Sequence, residues 1–561
     1  MPCDENCVVL FQKPPVYQSS LSPATIPSNQ EISSDSQSSS GLLVNPELGL
    51  VVTSAVLFTP QVDLLVKSIS QVGDHPGTII PPKNFESTII TVIFQNKSQS
   101  DIEDEFFSVP GKLLLLWRCE DLHEIMSTSF SERDGWKFGE DENVDDLKEK
   151  SQKMVIEPMT LKSDDEVKEN LIYWFAMIKL EHSEQIRSIG NQRLELYPSV
   201  NLRQGEMLLA CGTPFGALCP PVFMNSMSTG IVTNLAGKNN ALIMTDARVM
   251  PGSEGAGLYV LPHGNFKQRK LVGMIVSPLC WKVNEWIGLT LAVSISTLLD
   301  SLQKLNPLQS QGSMLPSIVN NGYKDLLTSD VRKAINSVVY VQVGPIWGSG
   351  VMVDGVEGYV ITCRHVVKNS RTRGVRIFIR YPRPMWIAAD VVFSACNSSP
   401  IDLALLKLKH CPEQLQSVKP SNNITKGQKV IAVGHALFGF EIQKQPSVTS
   451  GIVSNTVKYK HQLVMVQSTC AVHSGASGGA LLCAETGHLI GIIASNSRDI
   501  DTNASFPHVN FSIPVSTFWL AIKSYIQSTD IHKLDILNNT NSSIRHLWQL
   551  DAPEININSK L

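Results

Sequence analysis

The strongest constraint on the fold is that the chain repeats itself. SSGLLVNPELGLVVTSAVLF (39–58) aligns without a gap on GSGVMVDGVEGYVITCRHVV (348–367), matching Ser40 to Ser349, Gly49 to Gly358 and Thr53 to Thr362. The correspondence continues in the same order. WFAMIKL (174–180) parallels DLALLKL (402–408), and QGEMLLACGTPFG with STGIVTN (204–234) parallels KGQKVIAVGHALFG with TSGIVSN (426–455). PGSEGAGLYV (251–260) parallels SGASGGALLC (474–483), KLVGMIVS (270–277) parallels HLIGIIAS (488–495), and LTLAVSIST (289–297) parallels VNFSIPVST (509–517). Each copy runs to about 200 residues, far beyond the 20–50-residue period of a solenoid, so these are two copies of one domain.

Both copies are built of short β-branched apolar runs such as YVITC and VIAVG, separated by Gly, Pro and Asn. That pattern reads as an all-β barrel or sandwich. Each copy closes with one helical stretch, 293–305 and 515–527, and in the second Phe518, Leu520, Ile522 and Tyr525 are expected to share a face. The organisation expected is an N-terminal segment over 1–37, partly Ser-rich, and a first domain over 38–305 with a long insertion at about 59–170. A polar connector over 306–330, a second domain over 331–527 and a loosely ordered polar tail over 528–561 complete it. An insertion of that length is either functional or disordered.

Composition narrows the function. The formal net charge of −4 leaves no overall electrostatic footprint for nucleic acid. No apolar run reaches 18 residues, so no membrane-spanning helix is expected. The start, MPCDENCVVLFQKPP, lacks the basic and apolar regions of a secretory signal, and its acids argue against a mitochondrial presequence. The 11 cysteines form no C-x-x-C pair and no Cys/His set with zinc spacing, which reads as free thiols in a reducing compartment. Nothing in the sequence calls for a metal or an organic cofactor.

Three motifs in the second copy carry chemistry. TCRHVV puts His365 after a strand, PIDLALLKL puts Asp402 at the start of another, and HSGASGGAL holds Ser477 in a glycine-rich turn. A serine hydroxyl is a weak nucleophile at neutral pH and needs an adjacent base. His365 can take its proton, and Asp402 can hold the imidazole in the required tautomer. The backbone N–H groups of Gly475 and Ser477 are the expected oxyanion donors, glycine permitting the backbone such a turn requires. By the repeat register Val56, Trp174 and Glu254 stand where His365, Asp402 and Ser477 do, so the first copy is catalytically degenerate. Its expected role is packing and shaping the substrate groove, with regulation or assembly as the alternative.

These motifs, with GxxVIAVG, TSGIVSN and NFSIPV, resemble the Deg/HtrA branch of the chymotrypsin/trypsin-like serine proteases over essentially all of 335–527. The resemblance implies tandem domains of two six-stranded β-barrels each, with a Ser-His-Asp triad in the cleft of the second. Residues 528–561 are too few for the peptide-binding module that follows the protease in that branch. Ala476 stands before the nucleophile where many secreted trypsin-like enzymes carry Asp, so activation by an inserted N-terminus is not expected. The family's geometry puts Ala471 at the base of the primary specificity pocket, favouring a small neutral side chain, with Ser495, Asn496 and Asn510 as candidates for its walls.

The chain ends Ser559-Lys560-Leu561, the tripeptide that a peroxisomal import receptor reads at an exposed terminus. A doubled trypsin-like protease with a degenerate first copy and this ending resembles the peroxisomal leader-peptide-processing proteases and their plant glyoxysomal relatives. That resemblance implies a peroxisomal matrix serine endopeptidase that removes N-terminal leaders from imported precursors, processes β-oxidation enzymes and cleaves itself. Cys119 is the candidate for the self-cleavage site, with a free thiol at a strand end as its plain reading. Protein substrates and the import receptor are the expected partners, and homo-oligomerisation is left open. The alternatives are a general Deg-type degradative protease and a binding or chaperone module on a protease fold.

Overall fold

The computed structural model describes residues 5–12, 36–61, 79–80, 89–96, 105–130, 135–138, 171–181, 186, 194–278, 280–282, 285–304, 327–421, 423–440, 444–498 and 505–550. The chain divides into two compact units: Met1–Asn284 with Gly288–Leu326, and Glu285–Ile287 with Leu327–Leu561.

The second unit holds two closed six-stranded antiparallel barrels. The first runs Val338–Val343, Ile346–Asp354, Tyr359–Thr362, Ala404–Leu408, Met385–Ser394 and Val375–Ile379 in hydrogen-bonding order. The second runs Lys429–Gly434, Ser447–Tyr459, Gln462–Ser468, Ser505–Pro514, Leu489–Arg498 and Ala480–Cys483. Closure leaves no unpaired sheet edge. Tyr359–Thr362 and Ala480–Cys483 are buried at every position, so these strands read as continuous apolar runs rather than alternating ones.

The first unit repeats this plan. Asn6–Gln12, Ser36–Asn45, Leu50–Ser54, Trp174–Leu180, Glu105–Arg118 and Ile89–Asn96 follow one another in a sheet that also includes Ile79–Ile80. The second barrel comprises Ser226–Ala236, Leu242–Thr245, Thr290–Ser294, Lys270–Ser277, Gly257–Val260 and Met207–Gly212. Register makes the equivalence residue by residue. Thr53 pairs with Ala176 as Thr362 pairs with Ala404, and Gly41 pairs with Thr53 as Gly350 pairs with Thr362.

The structure differs from the sequence reading in four places. The first strand, Asn6–Gln12, lies inside what reads as a separate N-terminal segment, and it takes the position that Val338–Val343 holds in the second unit. Part of the expected insertion is barrel: Ile89–Asn96 and Glu105–Arg118 are two of its strands. Their loops are longer than the second copy's, which hides the repeat from alignment. The residues after the last barrel helix are folded up to 550, with a 3-10 turn Ile531–Leu537 that buries Leu534 and Leu537 and a helix Ser542–Gln549 capped by the Asn541 side chain. Finally, helix Val515–Ser528 buries Val515, Phe518 and Ile522 but leaves Leu520 78% exposed. Two residues subtend about 200° on a helix, which turns Leu520 away from Phe518.

Candidate active site

In the second unit, strand Tyr359–Thr362 ends in the 3-10 turn Arg364–Val367, which presents His365 half-exposed. Asp402 precedes the neighbouring strand Ala404–Leu408 by two residues, so register alone brings the two together. His365 donates its backbone N–H to Asp402 Oδ1 at 3.1 Å, and His365 Nδ1 forms a short hydrogen bond with Asp402 Oδ2. Arg364 Nε lies 3.4 Å from Asp402 Oδ1. Burial pushes the Asp402 carboxyl up, but the His365 contacts and Arg364 outweigh it and hold the group below the usual carboxylate value. An ionised Asp402 only accepts, so the imidazole carries its proton on Nδ1 and keeps the Nε2 lone pair free.

The loop ahead of Asp402 is tied down from the C-terminal segment. Asn538 Oδ1 accepts from Cys396 N at 2.8 Å, Ser399 Oγ donates to Leu537 O at 3.0 Å, and Arg545 donates to Ser398 O. Arg364 also donates to Cys396 O. Cys363, His365 and Asp402 offer ligand atoms within 4.8 Å of one another. The Cys363 thiol donates to Ile493 O at 3.3 Å, and burial raises it well above the ordinary thiol value.

Ser477 sits in the turn 473–479, where Gly475 and Gly478 have φ of +93° and +85°. At Gly478 a Cβ would meet Ser349 O at 2.1 Å and Cys363 N at 3.0 Å, so only glycine fits where the turn abuts the chain leading to His365. Ser477 Oγ lies 3.5 Å from Ala494 O. Two contacts that sequence reasoning missed brace the turn. Leu437 donates its N–H to Ser474 O at 3.0 Å, and it does so from a left-handed backbone with φ of +70°. Because C=O and N–H of a trans peptide point in opposite directions, pinning the Ser474 carbonyl fixes where Gly475 N–H points. The fully buried Ser349 hydroxyl donates to Gly475 O at 2.8 Å and accepts from His435 N at 2.7 Å, while Thr362 Oγ1 donates to Ser349 O at 2.6 Å. The signal was in the repeat, as the Ser40/Ser349 and Thr53/Thr362 matches.

The first unit keeps this scaffold without the reactive groups. Ser40 Oγ donates to Gly252 O at 2.9 Å and accepts from Thr213 N at 2.9 Å, and Thr53 Oγ1 donates to Ser40 O at 2.7 Å. Phe215, left-handed at φ of +58°, donates to Pro251 O at 2.7 Å as Leu437 does to Ser474 O. Val56 packs against the core and Trp174 is buried. Glu254, in the position of Ser477, accepts from Gly252 N at 2.8 Å. The carboxylate therefore occupies the very donor that corresponds to Gly475 N–H, and a glutamate stands in this copy where the second carries the Ser477 hydroxyl.

The other candidates fall as follows. Ala471 is buried and its carbonyl accepts from Thr449 Oγ1 at 2.7 Å. Ser495 is exposed, and Asn496 stands opposite Asn510 in the sheet. The Asn510 side chain is consumed internally: Nδ2 donates to Ser468 O and Cys470 O at 3.1 and 2.7 Å, and Oδ1 accepts from Ser468 Oγ at 2.7 Å. It braces the strand pair under Cys470 and Ala471. Cys119 is a buried N-cap of helix Glu120–Ser129, its N–H bonded to Tyr173 O at 2.9 Å, and burial pushes its thiol up to about 11. Ser559, Lys560 and Leu561 lie outside the described residues.

Residues 348–492 match the family model of the trypsin-like peptidase domain. The chain is 35% identical over 453 residues to the peroxisomal leader peptide-processing protease of Mus musculus, covering 79% of this chain and 75% of that one. It is 34% identical over 458 residues to the Homo sapiens protein of the same name, covering 79% and 76%. The periplasmic serine endoprotease DegP of Salmonella typhimurium is 32% identical over 176 residues, covering 30% of this chain and 33% of its own. With an all-β, doubled trypsin-like architecture and this extent of identity, the chain belongs to the peroxisomal leader peptide-processing proteases, a family of trypsin-like serine endopeptidases.

Proposed function

We propose that this peroxisomal serine endopeptidase removes N-terminal leaders from imported precursors and processes β-oxidation enzymes, with His365, Asp402 and Ser477 as its triad. The observation that carries the reading is the Asp402–His365 hydrogen bond beside a turn braced by Leu437 and Ser349. Ser477 Oγ attacks the scissile carbonyl carbon as His365 Nε2 takes its proton. The carbonyl oxygen becomes an oxyanion facing Gly475 N–H and Ser477 N–H. The C–N bond then breaks, His365 returns the proton to the leaving amine, and water hydrolyses the acyl-enzyme by the same route. Turnover requires Ser477 Oγ to leave its 3.5 Å contact with Ala494 O for the imidazole, in keeping with the loose nucleophile contacts of ligand-free enzymes.

Ala471 at the pocket base suits a small neutral side chain. Self-cleavage at Cys119 requires helix Glu120–Ser129 to open first, because the peptide there is buried and hydrogen-bonded. The terminal tripeptide Ser559-Lys560-Leu561 is the element an import receptor reads. The test is to incubate the full chain with a folded, leader-bearing precursor and follow products by mass spectrometry. One N-terminal truncation is expected; many fragments, and those only from unfolded protein, would favour a degradative protease instead.

Ser349 is a positioning residue in this scheme, and Ser349→Ala is expected to lower kcat by about tenfold with KM within about twofold. The loss is smaller than the 10²–10³ of deleting an oxyanion donor, because the donors are loosened and not removed. His435 N–H, left buried without its acceptor, should also lower stability by about 1–3 kcal/mol. Steady-state kinetics and thermal unfolding on the same variant separate the two effects. A loss of stability with kcat unchanged would make Ser349 merely structural.

A further inference from the structure

Although the chain is acidic overall, residues 364–389 contain seven Lys or Arg and no Asp or Glu. This run begins at Arg364, immediately before His365. Arg364 is paired with Asp402, and Arg380 lies close to the buried His435. The other five, Lys368, Arg371, Arg373, Arg376 and Arg383, are exposed, and among the described residues none has an acidic partner.

Their placement ties this face to the active site. Arg376, Gln342 and Trp347 stand opposite one another on three adjacent strands, Val375–Ile379, Val338–Val343 and Ile346–Asp354. Trp347 Nε1 is 2.7 Å from where a Cβ on Gly475 would sit, so this row ends at the oxyanion turn. Two strand spacings put the Arg376 backbone about 10 Å from that of Trp347. Arg373 lies over the turn of the same hairpin, its Cδ 2.6 Å from a Cβ on Gly344. The Arg376 guanidinium carbon lies 4.5 Å from the centre of the Trp386 ring, a cation–π contact. Trp386 in turn packs on Phe440 at 4.6 Å, and Lys444 Nζ lies 5.8 Å from the centre of the Phe440 ring.

We propose that this basic face is an exosite for an acidic segment of the protein substrate, lying on one side of the scissile bond. An extended chain covers about 10 Å in roughly three residues, so carboxylates begin to meet Arg376 and Arg373 about three residues from the cut. An exposed guanidinium in contact with an aromatic ring still has N–H groups for bidentate bonding to a carboxylate. The inference rests on Ser477 being the nucleophile only in naming the occupant as substrate.

The binding test does not need turnover. Full-length Ser477→Ala protein is titrated with fluorescein-labelled octaglutamate and octaserine and read by anisotropy. Octaglutamate alone should bind, about tenfold more weakly at about 300 mM than at about 50 mM salt. Binding should be lost on adding Arg371→Gln, Arg373→Gln and Arg376→Gln together. Arg371→Gln with Arg373→Gln, which leaves the Trp386 contact intact, serves if the triple variant is unstable. No binding, binding that survives these changes, or labelled oligothymidylate binding as tightly as octaglutamate would overturn the proposal. With active enzyme, a cleavable peptide carrying four glutamates on one side of the cut should show kcat/KM about tenfold above its glutamine counterpart, through KM. A ratio near one, or equal gains with glutamates on either side, overturns it as well. An enzyme that cleaves no peptide while Ser477→Ala still binds octaglutamate would sink the triad reading and leave the exosite standing.

Discussion

Ser477→Ala in the full chain is expected to lower kcat by about 10⁴-fold or more, with little change in substrate binding or thermal stability. The hydroxyl is the only group in the site that can form the acyl bond, and removing the nucleophile of a triad leaves only the catalysis that binding and the oxyanion donors supply. The alanine side chain fits the same turn, since the native Oγ makes one long contact, 3.5 Å to Ala494 O. A fluorophosphonate probe should label the native chain at Ser477 and fail to label the variant. Retained turnover or retained labelling would remove Ser477 from the mechanism.

Asp402→Asn is expected to cost about 10⁴ in kcat while leaving the fold intact. The reason lies in how the two carboxylate oxygens are used. Oδ1 accepts from His365 N at 3.1 Å and faces Arg364 Nε at 3.4 Å, so an asparagine must keep its carbonyl oxygen there. Its NH₂ then falls opposite His365 Nδ1, where Oδ2 now bonds. A donor at that point forces the imidazole to accept at Nδ1 and to carry its proton on Nε2, where it can no longer take the Ser477 proton. Nitrogen NMR of the imidazole should report the switched tautomer. A kcat within about tenfold of native would mean that Asp402 does not set the tautomer.

The degenerate copy sharpens both expectations. Its barrel register, its serine–threonine brace and its left-handed Phe215 match the second copy, so the scaffold does not by itself confer activity. Glu254 turns the equivalent donor inward on itself. At the three triad positions the copies thus differ in side chain, while the brace and the left-handed turn beside them are shared.

Much of this was legible in the sequence because the repeat compares the protein with itself. The two all-β copies follow from motifs and their register, and so does the order in which the proposed triad residues His365, Asp402 and Ser477 occur. Less was legible wherever a residue acts through neighbours distant in the chain. The strands Ile89–Asn96 and Glu105–Arg118 carry no motif shared with the second copy, and only pairing identifies them as barrel. Asn510, a candidate for a pocket wall, proves to be a brace because its amide finds Ser468 and Cys470 across the sheet.

The sequence by itself determined the family and supplied the proposed chemistry, since residue types and their order decide which candidate nucleophile and base the chain offers. Only the tertiary structure decided how the reactive turn is held and what lies beside it. Hydrogen bonds and charge act through space. Ser349 meets Gly475 across 126 positions of chain, Asn538 meets Cys396 across 142, and Arg376 reaches the row of Trp347 because barrel closure sets their strands on either side of Gln342.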